Sequence, residues 1–222
     1  MTRAYLLGAM HDGTIRSRTV RISQREDAYV QFLRQLVERE GYRAWTYREG
    51  RTRNLYVVEF SKSIFESVEI NTEREIVDYV RGYFDADGGI PRNLSHGPYV
   101  YFCQKSRPDL ALVRSYLVRI GIRCGVIHNP SWRVDPNYWR FYVRRQSLRN
   151  FGEVVGSWHP TKRLRLREMI RALQTVSPAP SRRRRVPLAD FKAGPDYSYG
   201  LSHRCHPNAA IPVRIEKSVG GK

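Results

Sequence analysis

Tyr79-Val80-Arg81-Gly82-Tyr83-Phe84-Asp85-Ala86-Asp87-Gly88-Gly89-Ile90 decides how this chain folds. It is an apolar helical run with two small residues, Gly82 and Ala86, four apart on one face, and it ends in an Asp-Gly step. Small residues at that spacing let two helix backbones approach closely. The chain has a second run of this kind 75 residues earlier, ending in His11-Asp12-Gly13-Thr14-Ile15, with Ala4 and Gly8 as its small face. An isolated Asp-Gly is ordinarily a helix-ending turn. Its return at matching positions points to a tandem repeat.

The order of elements behind each run supports the repeat. Residues 14–16 and 19–23 read as a hairpin. Residues 26–41 place Tyr29, Val30, Phe32, Leu33, Leu36 and Val37 at amphipathic-helix spacing before a closing glycine. Strands over 43–47 and 54–60 follow, then a short helix over 62–68. In the second copy Asn71 or Thr72 caps the motif helix, with Glu73 and Glu75 at its positive end. Strands are expected at 89–92 and 99–104, a helix at 108–120, strands at 123–128 and 138–144, and helices at 147–155 and 160–176. This is an α+β fold: a pseudo-twofold tandem repeat of αββαββα units, with two antiparallel sheets forming a saddle and the motif helices packed at their interface. The expected divisions are 1–70, 71–176 and a basic tail over 177–222, where Ser177-Pro178-Ala179-Pro180-Ser181 precedes Arg182 to Arg185.

Composition bounds the partner. The 222 residues carry 39 basic against 21 acidic side chains, a formal charge of +18, which suits a polyanion, nucleic acid before an anionic membrane surface. Thirty-three of the basic residues are arginine. The guanidinium fork grips phosphate or the guanine edge, although codon usage in a GC-rich genome gives the same excess. Three cysteines make an odd count that argues against a disulfide framework and for a reducing interior. With no apolar run long enough for a signal core or a membrane span, the chain is expected to be soluble and intracellular, in a prokaryotic cytoplasm or an organelle.

The segment from Gly82 to Gly88 resembles the signature of the LAGLIDADG homing endonucleases at seven consecutive positions, and the element order is similar to that family over residues 1–176. The resemblance implies a monomeric, site-specific endonuclease, commonly intron-encoded, that cuts both strands of a long duplex with Mg²⁺, Mn²⁺ being able to substitute. It implies metal ligation by Asp12 and Asp87 together with the carbonyls of His11 and Ala86. Two packed motif helices would set the two carboxylates side by side at negative helix ends, an arrangement that calls for divalent cations. Hard oxygen donors completed by water and phosphate suit Mg²⁺. The cation would activate a water and stabilise the attacked phosphate and the leaving oxygen. The first copy departs from the pattern, with four steps from Gly8 to Asp12 against five from Gly82 to Asp87. Its helix is therefore either shifted in register or shortened near its end.

Strand alternation supplies the remaining candidates. Gln24 and Gln104 close equivalent strands, where the family often keeps a polar residue beside the scissile phosphates; a merely solvated glutamine is the alternative. Arg140 lies where the family often keeps a basic residue, with Tyr56 as its expected first-half match, and either stabilises the transition state or contacts a phosphate. The expected DNA-facing set is Arg16, Arg18, Arg21, Arg43, Arg48, Arg51 and Arg53 in the first half. In the second it is Arg92, Tyr101, Arg123, Arg133, Arg140, Tyr142 and Arg144. Residues 151–162 resemble the family's closing segment, whose packing role leaves Lys162 outside the catalytic set. His203, Cys205 and His206 lack a fourth ligand at regular spacing. His128-Asn129 is followed by Pro130 rather than a nucleophile, so the chain is expected to be free-standing and not a splicing element. An RNA maturase acting on its own intron, or a DNA-binding protein without cleavage, is the rival on the same fold.

Overall fold

The computed structural model describes residues 3–50 and 54–175. The tail over 177–222, with its arginine run and with His203, Cys205 and His206, lies outside the described residues, as do Arg51 and Arg53. In the first half, α1 (Arg3–Ala9) continues into a 3-10 turn over Met10–Asp12. It is followed by β1 (Gly13–Ile15), β2 (Thr19–Gln24), α2 (Asp27–Arg39), β3 (Ala44–Arg48) and β4 (Tyr56–Ser61). The second half has α3 (Glu73–Asp87), β5 (Gly88–Gly89), β6 (Tyr101–Gln104), α4 (Arg107–Arg119), β7 (Trp139–Tyr142), α5 (Leu148–Val154) and α6 (Pro160–Thr175). The helix expected over 62–68 is a 3-10 turn confined to Lys62–Phe65.

The first sheet has strand order β1-β2-β4-β3 and is antiparallel throughout. The second is also antiparallel but has, among the described residues, three strands, β5-β6-β7, rather than the four expected. Residues 123–128 meet β7 and the residue after it at two bridges, His128 with Arg140 and Cys124 with Val143. Four steps separate the bridged residues on one side and three on the other, so one residue bulges out and the ladder is interrupted.

Sequence dictates the start of α3. Thr72 accepts from the Glu75 amide while the Glu75 carboxylate accepts from the Thr72 amide, a reciprocal capping box. The helix then buries Ile76, Tyr79, Val80, Tyr83 and Phe84 in one continuous core with Leu6, Val20, Leu33, Phe60, Phe102 and Phe141. Its crossing with α1 is symmetric and rests on glycine. A Cβ on Gly8 would sit 2.1 Å from the Tyr79 carbonyl oxygen, and one on Gly82 would sit 2.1 Å from that of Tyr5. Gly8 therefore matches Gly82, and the first helix is not shifted in register.

The missing residue is absorbed by winding. One α step and three 3-10 steps rise about 7.5 Å, as do five α steps, because a 3-10 residue advances about 2.0 Å against 1.5 Å. The 3-10 turn thus carries Asp12 as far beyond Gly8 as the longer helix carries Asp87 beyond Gly82.

Candidate active site and nucleic-acid face

Both acids leave the helical seam where a strand begins. Asp12 precedes Gly13, which pairs with Ile22, and Asp87 precedes Gly88, which pairs with Phe102. Two residues beyond each pairing lies a glutamine. Gln24 Nε2 donates to Asp12 Oδ2 at 2.6 Å, and Gln104 Nε2 donates to Asp87 Oδ2 at 2.6 Å. The two halves thus build the same acid–amide pair twice.

The two pairs follow the symmetric Gly8–Gly82 crossing at the same end of the seam. The Asp87 carboxyl is pushed up to about 6, first by burial and then by the charge of Asp12, with Lys162 opposing both. Burial also raises Asp12, which nevertheless keeps an open side to solvent; Lys162 and the Gln24 hydrogen bond counter that rise. A folded carboxyl held above its unfolded value of 3.8 favours the protonated fold. Its stabilising contribution is full below the unfolded value and is lost as pH rises through the folded one. Metal-free wild type is therefore expected to lose melting temperature relative to Asp87→Asn between about pH 4 and about pH 6, and added Mg²⁺ should remove the difference. Parallel melting curves across that window would rule out the raised carboxyl.

The donor set fits a hard cation: two carboxylates, Asp12 exposed and Asp87 half-buried, whose oxygens water and phosphate can complete. Among the described residues, no group of three or more His, Cys, Asp or Glu side chains gathers as a metal cluster. The residues before the acids differ from one another. The His11 ring turns aside to hydrogen-bond Tyr79 Oη at 2.9 Å and to pack on Tyr83 at 4.4 Å. The Ala86 carbonyl already accepts a 3.2 Å bond from Lys162 Nζ.

Lys162, expected to be a packing residue only, reaches the end of α3 just before Asp87. Its ammonium donates to the carbonyls of Phe84 at 2.9 Å and Asp85 at 2.7 Å as well, closing the last turn of α3. Burial lowers its pKa, while Asp85, Asp87 and Asp12 pull it back up. The segment before it is anchored on Asp85, which is 1% exposed. That carboxylate accepts from Ser157 Oγ at 2.5 Å, Tyr5 Oη at 2.6 Å, Trp158 N at 2.9 Å and His159 N at 3.2 Å. The sequence offered one signal, a lysine two residues into a proline-led helix, but nothing local shows where that helix docks.

Arg140 stands opposite Cys103, whose thiol donates to the Asp87 carbonyl at 3.3 Å. Its guanidinium lies over Tyr101 at 4.6 Å, Tyr138 at 5.1 Å and Tyr142 at 5.9 Å, donates to the Tyr142 and Tyr138 hydroxyls, and leaves Nε buried without a partner. Its first-half match is not Tyr56. Register places Tyr56 opposite Gln24 as Trp139 stands opposite Gln104, so Arg140 corresponds to the fully buried Val57. Alternation gave the correct face in each strand but not the offset between β4 and β7.

The remaining arginines divide by exposure. Arg16, Arg18, Arg43, Arg48, Arg92, Arg123, Arg133 and Arg144 are exposed, whereas Arg21 is half-buried. Arg21 pairs with Glu49 at 2.5 Å and Arg16 with Glu59 at 3.6 Å, so part of the first-half set is already neutralised. The outer face also presents Trp45 and Tyr47, 54% and 41% exposed, beside Glu59. The alternation of Ala44, Trp45, Thr46 and Tyr47 is the sequence signal that puts both aromatics on one face. A second missed group is the connection before β7, where Trp132 and Val134 are 67% and 89% exposed.

Known proteins share this architecture. Residues 74–156 match the LAGLIDADG-like domain. Homing endonuclease I-ApeI of Aeropyrum pernix is 30% identical over 95 residues, 42% of this chain and 40% of that protein. The match therefore spans less than half of the relative. The structure of I-DmoI in complex with DNA and Mn superposes with a TM-score of 0.52 at 17% identity, covering 69% of this chain and 94% of that one. Full-length DUF199/WhiA from Thermatoga maritima gives 0.59 at 19% identity, covering 78% of this chain and 59% of that one. At these identities the structural matches speak for the fold alone. Residues 74–156 thus match a LAGLIDADG-like domain, and the described region shares the two-sheet α+β fold of the homing endonuclease I-DmoI.

Proposed function

We propose that this chain is a site-specific homing endonuclease that hydrolyses both strands of a long DNA duplex with Mg²⁺, acting as a monomer and encoded within an intron. The observation that carries this reading is the twice-built acid–amide pair at the α1–α3 seam, with Asp12 close enough for its charge to act on Asp87. Asp12 and Asp87 would hold the cations, which supply an activated water and neutralise charge on the phosphate and the leaving 3′ oxygen. Gln24 and Gln104 each fix one carboxylate oxygen and so set the direction in which the other points. Arg140, held among tyrosines one strand from Asp87, is placed to contact a phosphate on that side. The exposed arginines of both halves supply the sequence-independent share of binding.

The halves are unequal: one motif is a residue short, and Val57 replaces a guanidinium. This inequality favours, as the second reading, a nucleic-acid-binding protein or maturase that keeps its acids without cutting. Incubating the chain with a randomised duplex library in Mg²⁺ and sequencing the ends separates the two. Ends clustered at one long site, with short 3′ overhangs, are expected. Retention of duplex or intron RNA with no new ends would replace the endonuclease with the binding protein.

A further inference from the structure

Between Ile120 and Ser147 the chain carries five arginines and a single acid, Asp135, interleaved with Trp132, Tyr138, Trp139, Phe141 and Tyr142. Four of these aromatics are already matched. Tyr142 stacks on His128 at 5.9 Å, the Arg140 guanidinium lies over Tyr138, Arg107 lies over Trp139 at 5.3 Å, and Phe141 stacks on Phe102 in the core. Trp132 differs: among the described residues no ring or guanidinium lies against its indole, which stands in solvent with Val126 and Val134. The turn that carries it is fixed. Asn129 donates from Nδ2 to the Asp135 carbonyl at 2.8 Å and accepts from the Ser131 amide at 2.8 Å, while the Ser131 carbonyl accepts from the amides of Val134 and Asp135, both at 2.8 Å. The Asp135 carboxylate accepts from the Asn137 amide at 3.0 Å, so the one acid of the segment is engaged. This turn springs from the end of the second sheet nearest Asp87, since Trp139, which follows it, stands opposite Gln104. Trp45, the other tryptophan of the outer faces, stands instead opposite Glu59 within the first sheet.

An apolar ring held in water by a hydrogen-bonded turn marks a contact surface that is organised before its partner arrives. The arginines around it select the partner. Phosphate for the guanidiniums and a flat π-face for the indole belong together in one ligand, a nucleic-acid strand with an unstacked base. We propose that Trp132 is a stacking wedge, which packs on a nucleobase that has left its stack in bound duplex DNA, beside the Asp87 end of the second half. The wedge rests on the duplex-binding part of the proposed function and not on cleavage. Opening an intact step offsets much of the gain from stacking on the ring, whereas a duplex that already holds an unpaired base carries no such cost. Preference for a locally opened duplex is therefore the signature.

The test is equilibrium binding of the full chain in EDTA, so that no strand is cut, to two short DNA duplexes of one sequence that differ only in a single unpaired 2-aminopurine. Wild type is expected to bind the bulged duplex about 5- to 100-fold more tightly than the paired one and to quench the 2-aminopurine, the range that one base–aromatic stack supplies. Trp132→Ala should lose both the preference and the quenching, and Trp132→Phe, which keeps a smaller ring, should restore part of each. The indole is exposed, so both variants should melt with wild type when DNA is absent. If Trp132→Ala melts lower, the wild-type preference and quenching still decide. Equal binding of the two duplexes by wild type, or a preference that survives Trp132→Ala, overturns the wedge. A Trp132-dependent grip on an RNA hairpin without preference between the duplexes overturns it too, in favour of RNA. Absence of binding to either duplex removes the proposed function itself, so the two failures are told apart.

Discussion

Asp87→Asn is expected to lower cutting of a selected target by at least about 10³-fold, since a lost metal ligand removes several kcal/mol of transition-state stabilisation and each 1.4 kcal/mol is about tenfold. The substitution is nearly isosteric and the asparagine amide can still accept from Gln104, so the fold remains and the loss is chemical. Asp12→Asn should behave alike for linearisation, leaving at most nicked circles, because under the proposed function the two acids serve opposite strands. A graded control follows from the geometry. Gln24→Leu or Gln104→Leu leaves the carboxylate in place but frees its direction, and loss of such an orienting partner costs about 10- to 100-fold. Strand-resolved cleavage of an end-labelled duplex measures all four variants. Linear product from either aspartate variant at the wild-type rate would remove the acids from the chemistry.

Much of that site was legible because its signals are local. The Asp-Gly step recurs after small-faced helices, and two-residue alternation placed a glutamine at the end of the same strand in each half. Those features survive in one dimension because helix and strand periods alone decide which side chains share a face. The first motif shows where local reading stops. Its missing residue left shift and shortening equally open, and only the mutual contacts of Gly8 and Gly82 show that 3-10 winding absorbs it. Lys162 was invisible for a different reason: its partners are 76 to 78 residues away, and docking of α6 is a tertiary event. Arg140 was legible as a candidate, but its match was misplaced by one position, and a one-residue offset moves a side chain to the other face of the strand. That offset replaces an aromatic neighbour with Val57 and makes the second half the only one of the two with a guanidinium at this strand position.

Gly82→Ala is expected to separate the motif helices and to be the most damaging substitution of a single methyl group in the core. Helix propensity alone would favour alanine by about 1 kcal/mol. Against it, the new Cβ would lie 2.1 Å from the Tyr5 carbonyl oxygen and 2.9 Å from the Ala9 amide nitrogen, both backbone atoms that cannot rotate aside. Normal contact is about 3.5 Å, so α1 must retreat by more than 1 Å along a seam that buries much of the core, and overpacking of this kind costs about 1–3 kcal/mol or more. The steric effect wins, and for a chain of this size a net loss of about 2 kcal/mol lowers the melting temperature by roughly 4–8 °C. Gly8→Ala should match it, because its Cβ meets the Tyr79 carbonyl oxygen at the same 2.1 Å. Gly152→Ala in α5 is the decisive contrast. Its Cβ would meet Ile170 Cδ1 at 2.0 Å, a shorter distance, but that atom is the far end of a flexible side chain. Ile170 can change rotamer, so the propensity gain survives and the melting point should hold or rise. If all three variants melted alike, backbone contact between α1 and α3 would not be what fixes the seam. If instead the first two fall while the third does not, the spacing of two glycines sets the distance between Asp12 and Asp87, and cutting should fail in those two variants at temperatures where they remain folded.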